Sequence, residues 1–306
     1  MVIMALSTPQ PGRSNIKAPV QQNRTALAWM YLGARRRNID ELVFIASMRP
    51  QMYVSTSNPA KIILDDIYRQ RKVLTSDGEM LPLNSEVSPQ EGEFIYNLIR
   101  MDSAITRTLE IGCAYGVSSL NICAALQGRV GARHTIVDPF QTTWWKSVGV
   151  SNLRRAGLSN FDLVEENSEY VLPRLAAENE NQFDFIFVDG WHTFDHTMID
   201  CFYATRLLRV GGYLVLDDAH WQSVSKVVRY LGRYPCFKKC GNVSEDSSHL
   251  GWKTRTAKSL FSFWPFRNAL PYLSSSIQAA AEDRSSMIAL RKFSQDKRSF
   301  DWFVDF

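Results

Sequence analysis

The sequence predicts an α/β fold: a doubly wound, mostly parallel sheet with helices on both faces and an antiparallel last strand. Three observations point there. Short β-rich runs alternate with amphipathic stretches from Thr108 onward, the pattern of strand and crossover helix in a parallel sheet. Several of these runs end in acids, at Asp138, at Asp189 and at the pair Asp217 and Asp218, where strands of such sheets open on a ligand crevice. Ser285 to Phe293, SSMIALRKF, alternates as a strand after a long interruption.

Residues 1–37 are polar and rich in Gln, Asn, Pro and Arg without sustained periodicity, which reads as a loosely docked arm. ELVFIASM and KIILDDIY, between Ile39 and Arg71, look helical but carry no motif. A clear helix start follows in SPQEGEFIYNLIR. Ser88 can cap, Pro89 suits the first turn, Glu91 completes a capping box, and Phe94, Ile95 and Leu98 form an apolar stripe. The alternation then runs TLEIG, a helix from Ser118, HTIVD, a helix near Asn152, FDLVE, a helix near Tyr170, FDFIFVD, a helix near Met198, and GGYLVLDD. Leu120, Cys123 and Ala124 share one helix face, and Val224, Val227, Val228 and Leu231 obey helical spacing. Gly211 and Gly212 read as the stop of the preceding helix. CFKKCGNV is a further strand candidate, and an insertion of roughly residues 244–283 separates it from the last strand. Loops that long inside a domain are usually functional or disordered.

With 306 residues, 45% of them hydrophobic, the chain can bury a large core and fits one elaborated domain. No apolar run approaches the roughly 18 residues of a membrane span. MVIMALS is too short and lacks the basic flank of a signal peptide, so a cytoplasmic location is the expectation. A net charge of +4 is too mild to argue for nucleic acid by itself. The five cysteines read as reduced structural thiols, since Cys113, Cys123 and Cys201 fall in core-like elements and Cys236 with Cys240 fits neither a zinc nor a redox spacing.

Chemistry gathers at the strand ends. In TLEIGCAYGVSS a strand meets Gly112 and Gly116 before a helix begins near Ser118. Glycines admit close approach and the helix start offers free N–H groups, so the turn reads as a ligand cradle or as a purely structural turn. It is not the G-x-G-x-x-G of dinucleotide folds. Asp138 is placed to accept ribose hydroxyls, or is a solvated loop acid. Asp189, Asp217 and Asp218 sit at the tips of strands about 4.8 Å apart. Three close carboxylates call for a cation, with Mg²⁺, Mn²⁺ or Ca²⁺ favoured over zinc; helix capping is the alternative.

Taken together, the glycine turn with Glu110, Asp138, ENSEYVLPRL, VDGWH and LLRVGGYLVLDD resemble the class I S-adenosylmethionine-dependent methyltransferases. More narrowly, the chain is similar to metal-dependent O-methyltransferases related to catechol O-methyltransferase and to macrolide-sugar O-methyltransferases. The likeness runs from about Thr108 to Leu231, reaches Phe293 less closely, and is negligible before Ser88. It implies a Rossmann-like methyltransferase domain over residues 88–293; the arm and accessory helices over 1–87 and the tail over 294–306 lie outside the likeness. It also implies S-adenosylmethionine as cofactor. Glu110, Gly112 and Gly116 would surround its methionine, Tyr115 would belong to the same set, and Ser118 would lie near its carboxylate. Asp138 would hold the ribose, Ser168 or Asn167 the adenine, with Asp189 adjacent and Trp191 bordering the adenine pocket. Asp189, Asp217 and Asp218 match that family's metal ligands. Where the catechol enzymes have a lysine three residues after the first metal aspartate, this chain has His192, as the sugar-modifying relatives do.

A sulfonium methyl is already activated, so what remains is to orient and deprotonate a hydroxyl. A divalent cation lowers the pKa of a bound hydroxyl and a nearby histidine can take its proton, which makes His192 the expected base. His192 as a plain loop histidine is the alternative, His220 is the rival base or an outer partner, and His196 is expected to be structural. The expected acceptor is a small-molecule hydroxyl, most simply a vicinal diol of a sugar, glycoside or polyketide. KTRTAKSLFSFWPFR, within residues 253–267, reads as a substrate lid, a peripheral membrane contact or a packed insertion. A nucleic-acid methyltransferase is disfavoured by acids at the mouth and no nucleic-acid partner is expected. A noncatalytic partner protein would have lost the motif acids, and a dehydrogenase has another glycine pattern. Self-association is plausible from the N-terminal helices.

Overall fold

The structure, a computed structural model, describes residues 58–244 and 285–305. These residues belong to the larger of two units, 48–306. The first arm, ELVFIASM, most of the 244–283 insertion and the 253–267 segment lie outside the described residues.

Helix α1 (Pro59–Gln70) contains KIILDDIY; Asn58 caps it by accepting the Ala60 N–H at 3.0 Å, and Arg71 ends it in a left-handed conformation. A hairpin that no alternation in the sequence announces follows, β1 (Lys72–Leu74) against β2 (Met80–Pro82). Helix α2 (Pro89–Met101) opens on the expected capping box: Ser88 N–H donates to Glu91 Oε2 at 2.7 Å and Glu91 N–H to Ser88 Oγ at 3.3 Å.

The remaining elements are β3 (Arg107–Ile111), α3 (Val117–Leu126), β4 (Arg133–Val137), α4 (Val148–Arg155), β5 (Phe161–Val164), α5 (Ser168–Glu178), β6 (Phe183–Val188), α6 (Phe194–Leu207), β7 (Leu208–Leu216), α7 (Gln222–Leu231), β8 (Phe237–Ser244) and β9 (Ser285–Lys292). They build a seven-stranded sheet in the order β5-β4-β3-β6-β7-β9-β8. The pairs from β5 through β7 are parallel, and β9 runs antiparallel to both β7 and β8. This is the doubly wound, mostly parallel sheet with an antiparallel last strand that the alternation predicted. The chain steps outward from β3 to β5 and then returns to the other flank of β3 as β6. At that reversal the crossovers leave in opposite directions, and a crevice opens at the carboxyl ends of β3 and β6.

Burial follows position in the sheet. All six residues of β6 are buried, as a strand covered on both faces must be. Leu109, Ile186, Leu214 and Leu290 from four strands meet Cys201, Ala204 and Leu207 of α6 and Val224, Val227 and Leu231 of α7 in one core. Helix α3, VSSLNICAAL, is buried along its whole length and touches α1, α2, α4 and β4. A glycine on the neighbouring helix permits this: a Cβ on Gly92 of α2 would stand 2.6 Å from Asn121 Nδ2. Arg129 closes the lower end by donating to the carbonyls of Ile99, Asp102 and Ile105.

One local reading is corrected. Gly211 and Gly212 do not stop the helix, which ends at Leu207; they lie inside β7, beside a register shift opposite Phe183 and Phe185. Gly211 has φ of 88°, and a Cβ on Gly212 would sit 2.7 Å from the Asp184 carbonyl oxygen. The glycines accommodate an irregular strand entry rather than a cap.

Candidate active site

The crevice is built on the turn between β3 and α3. Gly112 (φ 88°) and Gly116 (φ 79°) take left-handed conformations. A Cβ on Gly112 would fall 2.0 Å from the Asp189 carbonyl oxygen, and one on Gly116 would fall 2.8 Å from Gly149. Both glycines are therefore demanded by contact as well as by dihedral. Gly149, at the start of α4, was not singled out in the sequence; its own Cβ would meet the Ala114 carbonyl oxygen at 2.7 Å.

Asp138, at the tip of β4, holds this turn in place. Its Oδ2 accepts the backbone N–H groups of Cys113 (3.0 Å) and Ala114 (2.9 Å) and Gln141 Nε2 (2.9 Å), while Oδ1 accepts Phe140 N–H at 2.8 Å. The acid read as a ribose partner is thus first a clamp between β4 and the glycine turn, with one oxygen less occupied than the other. Gln141 completes the clamp through the Ala114 carbonyl. Helix α3 begins at Gly116 without a side-chain cap, so Ser118 lies in a first turn whose N–H groups suit an anion.

Glu110 is fully buried under the turn. Its Oε2 accepts from Ser119 Oγ and lies 3.1 Å from His134 Nε2, while Oε1 is buried without a hydrogen-bond partner. Tyr115 is buried and meets Trp145 edge-on at 5.1 Å. Across the crevice, Phe140 stacks on Trp144 at 3.9 Å and meets exposed Trp191 edge-on at 6.4 Å. Asn167 starts α5 with no cap bond of its own and donates to Glu169 at 3.1 Å.

Ser168 hydrogen-bonds Asp200 of α6, a residue that no sequence motif marks. Asp200 is 1% exposed and its Oδ1 lacks a hydrogen-bond partner. Burial raises its carboxyl to about 6, and the Ser168 bond pulls it partly back. The folded chain thus holds this proton to higher pH than the unfolded chain, whose carboxyl titrates near 3.8. Stability is consequently lost as pH rises from about 4 through 6 and stays lost above. Asp200→Asn is expected to be about 2 kcal/mol more stable than the native chain at pH 8, with the gain shrinking toward zero near pH 4. Guanidinium midpoints at the two pH values measure this; an equal gain at both would contradict it.

The acids of β6 and β7 converge with His192. One ligand atom each from Asp189, His192 and Asp218 lie within 4.8 Å of one another. His192 Nε2 stands 2.7 Å from Asp218 Oδ2, an ion pair off the hydrogen-bond line, and 3.5 Å from Asp189 Oδ1. Asp218 is in a left-handed conformation (φ 47°), and its Oδ1 faces His220 Nδ1 at 3.8 Å. Asp217 is more buried; burial and then Asp189, Glu91 and Asp218 hold its carboxyl well above the usual range. Burial also lifts Asp189, to about 6. Burial pulls His192 down, but the two carboxylates outweigh it and push the imidazole up to about 10. Trp221 covers this group, its ring 5.0 Å from that of His192, and Ser223 donates to the His192 carbonyl. His196 instead bonds Thr193 Oγ1 at 2.8 Å, at the start of α6. Among the described residues no helix is long and apolar enough to cross a membrane, and all five cysteines are free.

Residues 109–219 match a family model described as a methyltransferase domain. This chain carries a methyltransferase domain. Its fold is shared with an O-methyltransferase from Bacillus cereus solved with SAH (TM-score 0.52, 16% identity, 83% of this chain and 97% of that one). It is shared equally with the O-methyltransferase TomG of Streptomyces achromogenes, solved with SAM (TM-score 0.52, 16% identity, 82% and 95%). In sequence the domain is similar to tricin synthase 2 of Oryza sativa subsp. japonica, 28% identical over 165 residues, 51% of this chain and 52% of that one. Tricin synthase 1 from the same plant is 30% identical over 146 residues, 44% and 53%. The chain spans about half the length of these curated relatives.

The residues of the methyltransferase domain fit both groups that the fold implies. Gly112 and Gly116 hold the turn in left-handed conformations at the crevice, Glu110 Oε1 is buried without a donor, and the start of α3 is uncapped. Asp189 and Asp218 bring carboxylate oxygens within 4.8 Å of one another beside the His192 imidazole, and the two carboxylates suit a divalent cation.

Proposed function

We propose that this chain transfers a methyl group from S-adenosylmethionine to a hydroxyl of a small molecule, with a divalent cation held by Asp189 and Asp218 and with Asp217 beside them. The observation that carries this reading is the Asp189, His192 and Asp218 cluster, set next to the glycine turn of a methyltransferase domain. The cofactor's methionine would lie over Gly112 and Gly116, its carboxylate at the start of α3 near Ser118, and its ammonium toward Glu110. The ribose would meet the less occupied oxygen of Asp138, and the adenine would lie among Trp191, Phe140, Asn167 and Ser168. When bound, the cation would acidify the acceptor hydroxyl.

The chain's own residues do the rest. The clamp of Asp138 fixes the turn before any ligand arrives. Trp221 packs beside the His192 ring, and Asp189 and Asp218 aim it. An imidazole held near 10 by two carboxylates carries a proton at neutral pH, so it becomes a base only once the charge of those acids is engaged elsewhere. That condition links the base to the cation site. Phe194, Trp221, Gln222, Ser223 and Lys226 line an open cavity of about 600 Å³ beside His192. Its aromatic walls suit a ring-bearing acceptor, such as a diol of a sugar, glycoside or polyketide.

Calorimetry with S-adenosylhomocysteine on the purified chain is expected to give micromolar or tighter binding, and a panel of diols with labelled cofactor is expected to accept methyl groups in Mg²⁺ but not in EDTA. Absence of cofactor binding to folded protein would reject the reading. Transfer undiminished by chelation would remove the cation from it.

A further inference from the structure

We propose that His134 is a positioning residue for the amino-acid end of the cofactor, acting through Glu110. This rests on the reading that S-adenosylmethionine occupies the glycine turn. His134 lies on β4 in register with Thr108 of β3, and neither the motif nor the acid cluster includes it. Its ring is fully buried between two hydrogen-bonding contacts: Nδ1 is 2.9 Å from Thr108 Oγ1 and Nε2 is 3.1 Å from Glu110 Oε2.

These contacts orient the ring. Toward a carboxylate, which only accepts, Nε2 is the donor, and Thr108 Oγ1 is the partner of Nδ1. Ser119, in the first turn of α3, donates to the same Glu110 oxygen, and Cys113 Sγ lies 3.3 Å from Ser119 Oγ. Thr108, His134, Glu110, Ser119 and Cys113 thus form one buried chain of polar side chains running beneath the turn from β4 to α3.

The asymmetry of Glu110 gives this chain its purpose. Two donors converge on Oε2, whereas Oε1 is buried with no partner. A buried carboxylate oxygen without a donor is costly, and the cofactor brings a donor to this turn, its α-ammonium. A charge-assisted bond to Oε1 would complete the set. With His134 and Ser119 on Oε2 from two different elements, the carboxylate plane is set before the ammonium arrives. With Ser119 alone, Glu110 can turn about its last bond and the free oxygen loses its aim. His134 itself touches no ligand.

The test compares two ligands that share the adenosine thioether but differ at this end. S-adenosylhomocysteine carries the amino acid, and 5′-methylthioadenosine lacks it. By calorimetry, His134→Leu is expected to weaken S-adenosylhomocysteine about tenfold or more, the scale of a hydrogen bond to a charged group, while methylthioadenosine changes less than about twofold. His134→Gln, whose amide can place an N–H near the position of Nε2, is expected to restore most of the loss. If His134→Leu does not fold, Thr108→Val, which removes the partner that orients the ring, is expected to show the same selective loss at a smaller size. Equal loss for both ligands would reduce His134 to a structural residue and overturn the proposal, as would unchanged S-adenosylhomocysteine affinity. A native chain that binds neither ligand would instead reject the methyltransferase reading on which the proposal stands.

Discussion

Gly112→Ala is expected to lower the melting temperature by about 10 °C and to abolish measurable cofactor binding. The added methyl would sit 2.0 Å from the Asp189 carbonyl oxygen, far inside contact distance, and its neighbour is backbone, which cannot swing aside. The residue is also held at φ of 88°, where alanine is strained. Relief requires parting the tips of β3 and β6, which pair directly at Ile111 and Val188. Overpacking of this kind costs typically 1–3 kcal/mol and the dihedral about 1 more, and a domain of this size loses roughly 2–4 °C per kcal/mol. Parting those tips also displaces Asp189, so binding should fail even in protein that remains folded at 20 °C. Differential scanning calorimetry paired with S-adenosylhomocysteine titration measures both. A variant that melts within about 2 °C of the native chain would show that the strand tips are not locked together.

His192→Ala is expected to reduce turnover by about 10²-fold or more and to leave S-adenosylhomocysteine affinity within about twofold. The second half matters as much as the first, because His192 faces the acids and Trp221 rather than the glycine turn. Loss of turnover at His220→Ala with His192→Ala active would transfer the role, since both rings face Asp218. The pH behaviour follows from the raised imidazole. The raised imidazole contributes its full stabilisation near pH 6.5, where the unfolded histidine is still protonated; that contribution is lost as pH rises through about 10, and on the acid side as Asp189 takes up its own proton near 6. Adding Mg²⁺ should lower the titration point of His192 in proton NMR. If it stays near 10 in saturating Mg²⁺, the imidazole does not respond to the acids as a base must.

Much of this was legible because it is periodic or local. Val224, Val227 and Leu231 fall on one face of α7 and are buried. The capping box at Ser88 is written in four consecutive residues and appears as written. The strand-end acids follow from each strand ending where its apolar run ends. What escaped was long-range. His134 and Glu110 are 24 residues apart, and nothing in RHTIV marks a histidine that will face an acid on the next strand. Asp200 sits in a helix of low amphipathic contrast and becomes notable only because α5 begins beside it. Gly211 and Gly212 misled because a double glycine after a helix suggests a cap, while the irregular pairing of β7 with Phe183 and Phe185 exists only once the sheet has formed. Asp138 reads in the sequence as a partner for ribose hydroxyls, but its backbone partners Cys113 and Ala114 belong to a different turn, and such partners leave no trace in side-chain identity.

Helix α3 touches α1, α2, α4 and β4 and has no exposed residue. A helix enclosed in this way cannot tilt, slide or swing without breaking the core, so one wall of the crevice is immovable. Any breathing needed to admit an acceptor and discharge a product must come from the opposite wall, where Trp191, Phe194 and Trp221 stand partly in solvent at the starts of α6 and α7. The crevice is built as a vice with one fixed jaw, its rigid side under the glycine turn and its looser side under the exposed aromatic rings.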